Sequence, residues 1–286
     1  MLRLFTDTSA NLPAAQLRQH NITVIPFSYT VNGKEMVYPK DTDFDGAEFY
    51  NAMRAGAEVR TSMINPDTAG KYFEQALRAG DDVLYVGMSG GISGTAQAAA
   101  MAAVDLMDRY PERTIMTVDT YAASLGEGLM VLEAAARAEQ GQSCREVGDY
   151  LLARREHMCQ FFTVDDLAYL KRGGRISGAA ALVGTVLGVK PILRGDETGH
   201  IVACGKVRGS RRAYAELANY YDARALDKNE MIGIAHADNA AGAEQVLALL
   251  REKGFTGECL NVVYEPVTGA HVGPGTVALF FYGKEK

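Results

Sequence analysis

The chain has 286 residues, is 48% hydrophobic and 22% charged, and carries a net charge of −6. This is the make-up of a soluble globular protein with one large domain or two modest ones, and its acidity argues against nucleic acid as the main partner. No apolar run approaches the ~18 residues of a transmembrane span, and Met1 to Asp7 lacks a signal-peptide core, so a cytoplasmic location is expected.

Leu2 to Thr6 reads as a first strand. Asn11 is placed to cap a helix, in whose first turn Pro13 fits. Ile22 to Val31 and Glu35 to Tyr38 read as strands flanking Asn32-Gly33, a strong hairpin signal. Asp45 to Ala55 is helical, the stretch from Val59 is polar and irregular, and Asn65-Pro66 opens a helix to about Ala79. Val83 to Val86 is short and apolar, as expected of a buried parallel strand. A turn with Ser89, Gly90, Gly91, Ser93 and Gly94 follows, then an Ala-rich helix to Met107. Thr114 to Val118 is another strand, the segment from Ala122 opens a helix, and Ser143 caps a further one to about His157. The alternation predicts an N-terminal α/β lobe, residues 1–160, with a mainly parallel sheet covered by helices on both faces.

A second α/β lobe, residues 161–286, is expected to hold a mixed sheet with helices. Phe161 to Val164 reads as a strand and Asp166 to Lys171 as a short helix, followed by a basic glycine turn from Arg172 to Ser177. Gly178 to Leu187 is apolar and small-sided, which leaves room for a neighbouring helix or for an acyl chain. Val189 to Leu193 and His200 to Val207 form a hairpin, Arg211 to Leu226 and Ala240 to Lys253 helices, and Met231 to Ala235, Glu258 to Tyr264 and Thr276 to Tyr282 strands. His271 falls in a turn pinned by Gly and Pro just before the last strand.

The strand, Gly/Ser turn and helix start at 83–95 make an anion site, with free N–H groups, the helix dipole and the Ser89 and Ser93 hydroxyls; the plainer reading is a helix cap at Ser93 with glycines for close packing. Gly87-Met-Ser-Gly-Gly91 also fits a nucleophile elbow, and Asp238 and His271 follow Ser89 in hydrolase order, which makes a serine esterase the alternative. His271 can donate to a carboxylate or phosphate, act as a base, or be a structural histidine bonded to backbone. Hydroxyls and one histidine with few acids suit an anionic head group better than proton abstraction. P-loop, Rossmann and zinc-protease motifs are missing and the four cysteines are widely spaced, so no cofactor, metal site or disulfide is expected. From Lys171 to Arg212 nine basic residues face two acids, a net +7 that leaves −13 for the rest; such an island suggests a docking face or a nearby anion.

Several stretches together resemble the DegV family of bacterial fatty-acid-binding proteins: Thr6 to Leu12, Arg60-Thr-Ser62, Ser89 to Thr95, Val118-Asp-Thr120, Ala123 to Gly126, Phe162 to Ser177, Gly188 to Leu193, Lys206 to Ala213 and His271 to Thr276. They span nearly the whole chain in the family's order. The resemblance implies two α/β lobes and a bound long-chain fatty acid such as palmitate or oleate, carried rather than turned over. It places the carboxylate on Thr61 and Ser93, with Ser62, Gly94 and His271 around it. Some members present the fatty acid to a partner fatty acid kinase that makes the acyl phosphate; if this chain does so, the basic island makes Arg172, Arg175, Lys206 and Arg208 the expected docking residues, on the face that holds the head-group opening. After Ser62 the chain reads Met63-Ile-Asn65, where members usually continue Gln-Pro-Ser or similar, which alters the local pocket shape.

Overall fold

The computed structural model describes residues 1–38, 44–176 and 188–286. The expected small-sided helix from Gly178 to Leu187 lies outside the described residues.

The strands are β1 (Leu2–Asp7), β2 (Thr23–Ile25), β3 (Ser28–Val31), β4 (Lys34–Val37), β5 (Val59–Ser62), β6 (Asp82–Gly87), β7 (Ile115–Asp119), β8 (Met158–Thr163), β9 (Val189–Gly195), β10 (Ile201–Arg208), β11 (Ile232–His236), β12 (Cys259–Val263) and β13 (Val277–Tyr282). The helices are α1 (Ala14–Gln19), α2 (Ala47–Arg54), α3 (Pro66–Arg78), α4 (Thr95–Met107), α5 (Leu125–Glu139), α6 (Cys144–Arg154), α7 (Ala168–Gly173), α8 (Ser210–Arg224), α9 (Ala240–Glu252) and α10 (Pro266–Val272). Among the described residues the strands form three sheets: a parallel one ordered β2-β1-β6-β7, a mixed one ordered β10-β9-β8-β13-β11-β12, and an antiparallel β4-β3-β5 ribbon. The α/β class with a parallel and a mixed sheet is as the sequence predicts.

Local chemistry explains many of these elements. Val83 to Val86 is buried on both faces of its strand, so its continuous apolar run is what a covered parallel sheet requires. Phe5 on β1 and Tyr85 on β6 pack against Phe73 of α3 on one side. On the other side Leu84 reaches Gly148 of α6, and Thr6 donates to Glu127 of α5. The Asn65 side chain caps α3 ahead of Pro66, and Ser143 and Glu146 form a reciprocal capping box on α6. Asn32 and Gly33 both take positive φ, the mirror-image turn that matches strand twist.

Four readings change. The stretch from Ile22 to Val31 is two strands in different sheets, because Pro26 has no N–H to continue a ladder. The polar segment at Val59 is the regular strand β5, paired with β3. Asn11 caps no α-helix: at φ 55° it ends a short 3-10 turn, and its side chain donates to Ser124 Oγ and the Val263 carbonyl and accepts from the Glu265 N–H. His271 lies in the last turn of α10.

The two larger sheets share one core. Helix α5 is buried between them, and its Gly-Glu-Gly run is a packing requirement: a side chain at Gly126 would meet Phe280 of β13, and one at Gly128 would meet the Ala10 carbonyl at 2.4 Å. A second core lies on the other face of the mixed sheet, under α8 and α9. The mixed sheet opens at Met158 with β8, beside the expected division at 160/161, and the ribbon from the N-terminal half packs through β3 and β5 on α10.

Asn11 is thus a seam between the halves. Asn11→Ala strands a buried N–H and a carbonyl and is expected to lower stability by about 2 kcal/mol in urea unfolding; a loss under about 0.5 kcal/mol would mean that the seam is held elsewhere.

Candidate functional site

A cavity of about 220 Å³ lies where the carboxyl ends of the parallel sheet meet the mixed sheet. The segments after β2, β6 and β7 contribute Phe27, Met88 and Tyr121 to Ala123, in keeping with ligand sites at the carboxyl ends of α/β sheets. From the mixed sheet come Phe162 and Phe280. Strand alternation sorts the paired aromatics: Phe161 and Phe281 face the second core, and their neighbours Phe162 and Phe280 face the cavity. Ile92, Leu170, Val267 and Val272 complete an apolar lining.

The polar end is built from four elements. Thr61 on β5 and His271 on α10 meet through Oγ1 and Nε2 at 2.9 Å. Ser93 follows in the turn before α4, and Arg175 beyond α7 sends its Nε–H to the Ile92 carbonyl. Ser93 Oγ lies 2.9 Å from Thr95 Oγ1, which accepts from the Ile64 N–H, so the Thr61 and Ser93 segments are tied through one buried threonine. Burial, and then the positive charge of Arg175, push His271 down to about 4, so its ring is neutral near pH 7.

A second, more polar cavity of about 580 Å³ lies beyond this wall. Thr61, Arg175 and His271 line both spaces, and Arg60 and Arg172 line the second. The wall is set by close packing. A side chain at Gly173 would lie 2.4 Å from His271 Nδ1, and one at Gly273 would strike the Tyr169 ring at 2.3 Å. Gly173 of Arg172-Gly-Gly-Arg175 and Gly273 of His271-Val-Gly-Pro-Gly275 therefore let α7 and α10 touch.

With this geometry in view, the comparisons are specific. The DegV family model, described as "Uncharacterised protein, DegV family", matches residues 1–284. The chain belongs to the DegV family. A DegV domain-containing protein of Clostridium perfringens is 34% identical over 99% of this chain and 98% of its own. The structure of a DegV family protein from Thermus thermophilus, described for its fatty acid binding, is 32% identical with TM-score 0.88, covering 99% of both chains. The fatty acid binding DegV family protein of Streptococcus agalactiae is 29% identical with TM-score 0.87, over 100% of this chain and 99% of its own.

In this DegV chain Thr61, Ser62, Ser93, Gly94 and His271 all line the first cavity. The Gly/Ser turn differs from the free anion cradle expected. Gly90 N–H donates to Asp119, Gly91 N–H to Ser89 Oγ, and the N–H groups of Ile92 and Ser93 to the Ser89 carbonyl. What it offers the cavity is the Ser93 hydroxyl with Gly94 beside it. The four expected docking cations divide: Arg172 and Arg175 line the second cavity, whereas Lys206 and Arg208 on β10 line neither space. The esterase residues do not come together. Ser89 is buried and donates to the Gly199 carbonyl, Asp238 pairs with Arg54, and His271 holds Thr61. Among the described residues no group of three or more His, Cys, Asp or Glu could hold a metal, and no helix is long and apolar enough to cross a membrane.

The apolar lining was hidden from sequence reading, since alternation shows that Phe161 and Phe162 face opposite ways but not which one meets a void. Thr95 was hidden too, because its role is a link to residue 64.

The ring of His271 is expected to titrate near pH 4 by NMR rather than near its ordinary 6.5. Between those values the unfolded chain binds more protons than the native one, so native stability falls as pH drops from about 6.5 to 4. His271→Gln should remove that part of the loss, and Gly173→Ala, by displacing the ring, should raise its midpoint. A wild-type midpoint at 6 or above would contradict the burial described.

Proposed function

We propose that this protein binds and carries a long-chain fatty acid such as palmitate or oleate in the first cavity, without turning it over. The observation that carries the reading is an apolar-lined cavity with Thr61, Ser93 and His271 together in its wall. The carboxylate sits against Thr61 and Ser93, with Ser62 and Gly94 alongside and His271 orienting Thr61. Charge-assisted hydrogen bonds fix the head group. The tail supplies affinity: ~16 carbons at ~0.8 kcal/mol per buried CH₂ give on the order of 12 kcal/mol before ordering costs. The Thermus and Streptococcus structures, both described as fatty acid binding, support the same reading.

The carriage is proposed for the cytoplasm, with presentation of the head group to a partner fatty acid kinase that forms the acyl phosphate. Arg172, Lys206 and Arg208 are exposed, and with Arg175 they form the cationic docking set of this proposal. Positive charge would steer an acidic partner. A serine hydrolase is the less favoured reading, because Ser89 is sealed from the cavity by its bond to Gly199.

Lipid extraction from the purified protein is expected to return about one fatty acid per chain. Thr61→Ala and Ser93→Ala should each weaken palmitate binding by about 1.5–3 kcal/mol in calorimetry. No acyl species together with no palmitate binding would remove the reading, and turnover of p-nitrophenyl esters that depends on Ser89 would favour the hydrolase. With a cognate kinase, Arg208→Ala should slow acyl-phosphate formation in a salt-dependent way and leave palmitate affinity unchanged; equal rates would remove the docking role.

A further inference from the structure

Two unsatisfied features lie side by side on one flank of the parallel sheet. The first is the outer edge of β7, which no strand among the described residues pairs with. The Val83 N–H donates to Thr114 and the Thr120 N–H to Gly87, so Ile115 and Thr117 turn their N–H and C=O groups away from β6. Arg155 takes the Asp119 carbonyl at the end of the strand. Ile115-Met-Thr-Val118 carries no Pro, Lys or bulge, the usual guards of an exposed edge. The second feature is an apolar stripe on α4. Seven large hydrophobic residues are exposed among the described residues, and three of them, Met101, Val104 and Met107, sit on this helix. Ala102 faces Gly70 of α3 and Arg109 just beyond α4 pairs with Glu74, so α3 covers one side of α4. At 3.6 residues per turn Ala100, Val104 and Met107 fall on the other side, toward the β7 edge, with Met101 beside them.

We infer that this flank is a two-fold interface with a second copy of the chain, in which β7 pairs antiparallel with β7 and α4 packs antiparallel on α4. The stripe is its own complement. Met101, Val104 and Met107 are spaced symmetrically about Val104, so a two-fold axis there sets Met101 against Met107 of the second copy and Val104 against itself. The same axis sets Asp108 against Ala100, which keeps the acids of the two copies apart. An axis normal to the sheet also brings the two β7 edges together and joins the sheets into one. The flank has three layers, α4, the sheet edge and α6, each about 10 Å thick, over roughly 20 Å of helix, or about 600 Å² per copy. About 1,200 Å² in total is the lower bound of a specific interface, which fits a weak, reversible dimer. The inference is independent of the fatty-acid reading.

Sedimentation velocity of the full chain over a concentration series is the test. A monomer–dimer equilibrium with Kd on the order of 10–100 µM is expected. Val104→Lys sets two like charges on the axis and should raise that Kd by about tenfold or more. Gln75→Lys, on exposed α3, should leave it unchanged. Val104 is 58% exposed, so the variant retains the core. Under oxidation Val104→Cys should form a covalent dimer and Gln75→Cys should not. Amide exchange at Ile115 and Thr117 should slow as wild-type concentration rises, and should not slow in Val104→Lys. A chain that stays monomeric at about 1 mM overturns the inference, as does a dimer indifferent to Val104→Lys. A dimer whose Ile115 and Thr117 amides exchange at the monomer rate overturns the joined sheet. A monomer that binds phosphatidylglycerol vesicles through Val104 overturns the inference in favour of a lipid surface.

Discussion

The placement of α10 is the constraint on which the rest of the site depends. At its start Glu265, fully buried, accepts from the N–H groups of Val267 and Thr268, and its own N–H is held by Asn11. At its end His271 packs on Gly173, and the following Gly273 packs on Tyr169. Tyr50 of α2 reaches across to donate to the Tyr264 carbonyl just before the helix. A helix of two turns has little stability of its own. Here both ends are fixed by atoms from other parts of the chain, so the His271 ring is delivered to Thr61 with almost no freedom. Burial pushes Glu265 up to about 7, so this cap is sensitive to pH near neutrality.

The parallel sheet reverses strand order between β1 and β6, where open α/β folds commonly bind ligands. In this protein that crevice is filled from within. Asp7 accepts from Tyr85, the Met88 N–H and the Ser9 N–H, while Glu127 accepts from Thr6. Ser9 Oγ lies within hydrogen-bond distance of both carboxyl groups. Its single proton can serve only one of them, so the other contact needs a proton on a carboxyl. Glu127 is the group that keeps it: burial and the neighbouring Asp7 charge drive it well above the ordinary range, and Asp7 collects more donors. The crevice being closed by the protein's own acids, the cavity opens at the rim instead, between the parallel and the mixed sheets.

Glycine has several roles in the motifs of this chain, and they are separable. Asn32-Gly33 and Gly174 serve backbone angle. Gly126, Gly128 and Gly173 serve distance, since each lies where a methyl group would meet a neighbouring element. Gly90 and Gly91 do the same for the Ser89 turn, which approaches Asp119 and the Gly199 backbone. A turn that looks like an anion cradle in sequence is mostly an internal fastening, and one hydroxyl remains for a ligand.

Much of this was legible in the chain because it is decided locally. The Asn32-Gly33 turn, the Asn65-Pro66 and Ser143 caps, the apolar run at Val83 and the strand–helix alternation depend on neighbours a few residues away, so composition and spacing suffice. The motifs carrying Thr61, Ser93 and His271 marked residues that line the first cavity. Other features depend on pairs far apart in the chain. Asn11 has cap chemistry and became a cross-link because Glu265 lies within its reach. The polar stretch at Val59 became a strand because β3 offered it a ladder. Arg175 read as one cation in a basic island until folding set it in a cavity wall without an acid beside it. The sequence by itself determined most of the elements, the family motifs and the identity of the polar groups. Only the tertiary structure decided which of those groups share a wall, because burial and close approach belong to the packing of distant segments and leave no periodic trace along the chain.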